Sequence, residues 1–169
     1  MSQPSYSVYF PRVLHFGSGC RDLAASEADK LVSGAPVRML LVGSGTVSAS
    51  AIGKDFIASL GNRVLARYCS VPHDPPLSTV SEIIDLIRQH RINVLLALGG
   101  GSVMDASKAA ALLSQGNGSV KEYFDGALPL PEKMLPMLAL PTTAGTGSEI
   151  TKNAVLTDTK GHLKRAIRS

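Results

Sequence analysis

Leu95-Leu96-Ala97-Leu98 runs without interruption into Gly99-Gly100-Gly101, and Ser102 and Asp105 follow at the spacing of a capping box. An apolar run of strand length, a glycine turn and a helix start leave one local structure, a buried strand that turns sharply into a helix. Glycines let the backbone come close to a ligand, and the free N–H groups and dipole of the following helix attract negative charge. The stretch therefore predicts an anion site, with a nucleotide pyrophosphate as its natural guest. Met104 stands where the dinucleotide fingerprint G-x-G-x-x-G has its third glycine, and Ser102-Val103 replaces the Lys-Ser/Thr ending of a P-loop. The neighbouring segments must decide what the turn holds.

Strand and helix patterns alternate on both sides of it. From Cys20 to Val32 the apolar Leu23, Ala24, Ala28, Leu31 and Val32 recur at helical spacing, with Gly34 as a stop. Arg38–Val42 reads as a buried strand, Gly43-Ser44-Gly45-Thr46 as a second glycine turn, and Val47–Leu60 as a helix ended by Gly61-Asn62. Arg63–Cys69 gives the next strand. After the stiff connection Val71-Pro72-His73-Asp74-Pro75-Pro76, Ser78 or Thr79 is expected to cap a helix with the stripe Val80, Ile83, Ile84 and Ile87. Asn93–Leu98 follows as a strand, then an Ala- and Leu-rich helix after Ser102 that should be mostly buried. A short helix over Val120–Phe124, a proline-spaced loop over Leu128–Pro136 and a strand at Met137–Leu140 come next. Residues 7–16 read as an extended arm and edge strand interrupted by Pro11, and Ala154–Thr157 with Leu163–Ile167 as a hairpin. The fold class is α/β: a Rossmann-like parallel sheet flanked by helices, with an N-terminal extended arm and a C-terminal β-hairpin.

In a parallel sheet the carboxyl ends of the strands share one edge, so the small-residue loops at 43–46, 99–102 and 141–148 are expected to converge on one crevice. Thr142, Thr143, Thr146 and Ser148 can bond a ribose or a base, or their own loop backbone. Asp105, in the first helical turn, is better suited to holding structure as an ionised carboxylate than to acting as a base. Glu149 reads as loop-organising.

Composition narrows the function classes. Hydrophobic residues at 44% and charged residues at 18% of 169 describe an ordinary globule able to bury a core. A net charge of +4, with scattered basic residues and only four Tyr and four Phe, argues against a nucleic-acid surface. No apolar run reaches membrane-span length and no signal-peptide pattern opens the chain, so a cytoplasmic location is expected. Cys20 and Cys69 suggest no disulfide framework, and His15, His73, His90 and His162 show no metal-binding spacing.

Gly99-Gly100-Gly101-Ser102-Val103-Met104-Asp105-Ala106-Ser107-Lys108 and Pro141-Thr142-Thr143-Ala144-Gly145-Thr146-Gly147-Ser148-Glu149-Ile150-Thr151 resemble the GGGSxxDxxK and PTTAGTGSExT signatures of the iron-containing (group III) alcohol dehydrogenases. The opening Tyr-Phe-Pro-Arg-Val-Leu-His-Phe-Gly-Ser-Gly is similar to that family's first strand and turn. The resemblance implies an NAD- or NADP-dependent dehydrogenase of two domains, in which an aspartate and three histidines of a helical half hold iron or zinc. Residues 1–169 would then be the nucleotide domain alone, a fragment of a longer enzyme without turnover of its own. It would act on a small alcohol or aldehyde, with a homodimer or higher homo-oligomer as the complete assembly.

By the same resemblance Gly100, Gly101 and Ser102 hold the pyrophosphate, Thr142, Thr143 and Thr146 lie along the adenosine part, and Lys164 lies near the nicotinamide ribose. Asp105 belongs to the cofactor-binding set through the first signature. Asp74 stands where many members have Asn. Many NAD-using members carry an aspartate where this chain has Gly43-Ser44-Gly45, so Ser44 predicts tolerance of NADP. Dehydroquinate synthases and maleylacetate, lactaldehyde or phosphonoacetaldehyde reductases share the architecture, and a stand-alone dinucleotide-binding module is a further reading. The intact Pro141–Glu149 segment favours the dehydrogenases over the synthases.

Overall fold

The computed structural model describes residues 11–168. Strands β1 (Met39–Gly43), β2 (Val64–Tyr68), β3 (Val94–Gly99) and β4 (Met137–Pro141) form one parallel sheet in the order β2-β1-β3-β4. The chain winds from β1 outward to β2, then crosses back to place β3 on the other side of β1. That reversal leaves a crevice outside the carboxyl ends of β1 and β3.

Every residue of β1 and β3 is buried, as expected for strands covered on both faces. Alternate side chains feed two cores. Leu40, Val42, Leu95 and Ala97 pack under α4 (Leu77–Gln89), α5 (Gly101–Leu113) and α6 (Val120–Asp125). Met39, Leu41, Val94, Leu96 and Leu98 pack under α1 (Ala24–Leu31) and α3 (Ala51–Ser59). The stripe predicted for α4 is buried throughout. The hairpin β5 (Asn153–Asp158) and β6 (Leu163–Arg168) forms as predicted and lays Ala154, Leu156 and Ile167 into the first core.

Four local readings are corrected. The helix predicted over Val47–Leu60 is two, α2 (Gly45–Ala49) and α3, because Ser50 turns extended and its hydroxyl accepts the Gly53 N–H at 3.0 Å. Close approach requires glycine there: a Cβ on Gly53 would lie 2.1 Å from the Val47 carbonyl oxygen. Neither Ser78 nor Thr79 caps α4; Pro76 stands at the cap and both residues fall inside the helix, since a proline pre-sets the backbone just ahead of a first turn. Cys20–Leu23 is a 3-10 turn leading into α1. Residues 11–16 of the predicted edge strand pair with no strand among the described residues, Pro11 offering no N–H to a ladder, and 7–10 lie outside them.

Candidate functional site

The crevice at the sheet reversal is a cavity of about 360 Å³ lined by Ser44, Val71, Pro72, His73, Gly100, Gly101, Ser102, Val103, Thr143 and Thr146. The loops after β1, β3 and β4 therefore meet, as their positions in the sequence predicted. Among the described residues no carboxylate lines the cavity, although Asp74 stands at its rim.

Its floor is the start of α5. Gly100 is the cap residue, and the first intrahelical bond runs from the Met104 N–H to the Gly100 carbonyl at 3.1 Å. The amides of Gly101, Ser102 and Val103 precede that bond and carry the positive end of the helix dipole toward the cavity. The capping box predicted for Ser102 and Asp105 does not form, because Gly100 is the cap and the helix begins two residues too early for it. Instead the Ser102 hydroxyl accepts the Asp74 N–H at 3.3 Å.

The wall opposite is the loop after β4. A Cβ on Gly100 would come 2.9 Å from Thr143 Oγ1, and one on Gly101 would come 3.4 Å from Thr146 Cγ2. The glycines keep floor and wall one methyl group apart. Thr142 sits at the strand end, exposed and outside the cavity lining, where its N–H donates to the Gly99 carbonyl at 2.9 Å.

The structure does not bring Asp105 into the cavity. Its Oδ2 accepts the Val155 N–H at 3.1 Å, and its Oδ1 accepts from the Ser148 hydroxyl and lies 3.1 Å from Lys108 Nζ. The buried Lys108 ammonium donates on to the carbonyls of Ser148, Thr151 and Asn153. Burial holds its pKa below the ordinary lysine value, against the opposing pull of Asp105. This network escaped the motif reading, although a lone lysine in an otherwise Ala- and Leu-rich helix was its signal.

At the rim, Asp74 adopts the left-handed conformation (φ 50°), which Asp tolerates better than most residues, and its carboxylate meets Lys164 Nζ at 2.6 Å. His73 Nδ1 lies 3.5 Å from the same oxygen. The hydrogen bond from Lys164 is the main cause that holds the Asp74 carboxyl below its ordinary value of 3.8. A carboxyl depressed in the fold favours the paired rim above that value and loses the pairing as pH falls through its lowered midpoint. We expect carboxyl-detected NMR titration to place Asp74 below the ordinary value, and Lys164→Met to raise it toward that value; an unmoved midpoint would refute the pairing.

Among the described residues no group of three or more His, Cys, Asp or Glu is placed to hold a metal ion. None of their helices is long and apolar enough to cross a membrane.

The model of the iron-containing alcohol dehydrogenases matches residues 11–169, and the chain belongs to that family. It is 28% identical to alcohol dehydrogenase 4 of Schizosaccharomyces pombe over 167 residues, covering 98% of this chain and 39% of that protein. A choline dehydrogenase of Bacillus subtilis is 43% identical over 96 residues, 56% of this chain and 24% of the relative. Among solved structures, sulfoacetaldehyde reductase from Bifidobacterium kashiwanohense in complex with NAD+ superposes with a TM-score of 0.90 at 30% identity, covering 99% of this chain and 44% of that one. The chain thus spans well under half the length of these relatives.

Proposed function

We propose that this chain is the nucleotide-binding part of an NAD(P)-linked alcohol dehydrogenase acting on a small alcohol or aldehyde. The observation that carries the reading is the convergence of three strand-end loops on one carboxylate-free cavity floored by the α5 amides. The NAD+ held by the sulfoacetaldehyde reductase of the same fold supports it.

Gly100 and Gly101 keep side chains out of the path of a pyrophosphate, and the amides of Gly101, Ser102 and Val103 bind it. Thr143 and Thr146 orient the adenosine part from the facing wall, with Thr142 behind them. Asp74 aligns the Ser102 hydroxyl through its N–H and holds Lys164 at the rim, within reach of the nicotinamide ribose. When bound, the nicotinamide supplies hydride exchange with an alcohol or carbonyl carbon. Asp105 belongs to this set indirectly, through the loop it bonds rather than by touching the cofactor. The iron or zinc implied by the resemblance finds no ligand cluster among the described residues, so what these residues do is bind and orient.

Ser44 brings a hydroxyl and no carboxylate to the cavity, so nothing there repels a 2′-phosphate and NADP is accepted beside NAD. Val13, Leu14 and Phe16 are 57%, 72% and 99% exposed, which supports an arm covered by a second copy in a homodimer. The location is cytoplasmic.

Calorimetric titration of the chain with NADH and NADPH tests the reading. Both are expected to bind saturably, with Kd values within about tenfold of each other, a difference of about 1.4 kcal/mol. Binding by neither overturns the function, and binding of NADH alone overturns the tolerance of NADP.

A further inference from the structure

Thr143 and Thr146 belong to a connection, residues 142–152, that contains no helix or strand. Its first half is exposed, and Gly145 and Gly147 take left-handed conformations (φ 99° and 60°) with open space around them. A segment this poor in packing draws its position from its ends. The upstream end is fixed by β4 and by the Thr142 N–H bond to Gly99.

The downstream end is gripped by Lys108, with Asp105 beside it. Lys108 Nζ reaches the Ser148 carbonyl at 2.7 Å, the Ser148 hydroxyl at 2.9 Å and the Thr151 carbonyl and hydroxyl at 3.3 and 3.4 Å, and it also donates to the Asn153 carbonyl. An ammonium has three protons and no acceptor, so a buried one encircled by loop oxygens acts as a pin. Asp105 closes the ring from the helix side and also grips the Val155 N–H.

Lys108 lies seven residues beyond Gly101 on α5, about two turns along and on nearly the same face. The helix that lays Gly100 and Gly101 against Thr143 and Thr146 therefore also holds the far end of the loop that carries those threonines. We propose that Lys108 is a positioning residue for the cleft: by gripping residues 148–153 it sets how closely Thr143 and Thr146 stand over the Gly100–Gly101 floor, and so sets nucleotide affinity without touching the nucleotide. The statement about affinity rests on the nucleotide-binding reading given above; the statement about loop position does not.

Ser148→Ala tests both, because it removes one hydroxyl that Lys108 and Asp105 share and leaves the ammonium and the backbone in place. NADH titration, thermal denaturation and amide hydrogen exchange are measured on the parent chain, Ser148→Ala, Lys108→Arg and a control. The control is Tyr123→Phe, which removes a hydroxyl bonded to the Gly118 N–H beyond the other end of α5. In Ser148→Ala the NADH Kd is expected to rise about tenfold, with faster exchange at 142–147 and unchanged protection in β3. Lys108→Arg keeps the charge but cannot seat a planar fork among the same oxygens, and is expected to do the same. Tyr123→Phe is expected to lower the melting temperature with no change in affinity.

Parent-like affinity in both loop variants overturns the proposal, as does an affinity loss in the control as large as theirs. If the parent chain binds no NADH, the nucleotide reading fails, and exchange at 142–147 alone decides whether Lys108 holds the loop. Exchange there that matches the parent in both variants overturns that grip. Should either variant fail to fold, the other carries the test.

Discussion

Gly101→Asp is expected to weaken NADH binding at least 100-fold while leaving the chain folded and no less stable, an outcome that titration and thermal denaturation of the same sample distinguish. The backbone at this position is helical, and a Cβ would meet Thr146 at 3.4 Å, so the first added atom fits with a small adjustment of that side chain. The carboxylate beyond it enters the cavity. Two unit charges about 4 Å apart at an effective dielectric of about 20 repel by about 4 kcal/mol, close to a thousandfold in affinity. The same negative charge in the first turn of α5 is favourable to the helix by about 0.3–1 kcal/mol. Binding and stability therefore move in opposite directions. Affinity within tenfold of the parent would place the phosphates elsewhere.

Lys108→Met is expected to cost about 3–5 kcal/mol of stability, the range for removing one partner of a buried ion pair. Lys108 is 8% exposed, and its loss leaves the Asp105 carboxylate without a cation and the carbonyls of Ser148 and Asn153 without their donor. Methionine fills the alkyl volume, so the loss is one of charge and hydrogen bonds rather than of packing. Adding Asp105→Asn to Lys108→Met should recover part of the deficit, because the orphaned charge goes with it. Urea denaturation reads the change as a shift in midpoint at constant slope. A loss below about 1 kcal/mol would mean the ammonium is not holding the loop.

What could be read from the residue order follows from the range over which each interaction acts. The buried strands are unbroken apolar runs, the α4 stripe has helical spacing and the hairpin flanks a glycine turn, and each reappears where its local pattern put it. The convergence of 43–46, 99–102 and 141–148 was legible too, because parallel strands leave one edge for all three connections. Asp105 was not legible in the same way. Its spacing from Ser102 matched a cap, but Ser148 and Val155, forty-three and fifty residues on, offered its oxygens donors that a local reading cannot see.

The break at Ser50 had a visible signal, a serine three residues ahead of Gly53 in a segment otherwise of helical character. The steric demand that makes Gly53 obligatory comes from Val47 and needs the folded backbone. The rim pair of Asp74 and Lys164 spans ninety residues, and neither partner announces the other.

From Val103 to Leu113 every residue of α5 is buried except Asp105. A rod seated on all sides cannot roll or slide when a guest arrives, so the floor of the crevice is the same before and after. Whatever yields must come from the flanking connections, the turn at Ser44, the threonine-bearing loop and the proline-bound stretch at 71–76. The entropy lost on occupancy is therefore collected from a handful of residues at the mouth, and mutations that stiffen them should tighten binding without any new contact to the guest.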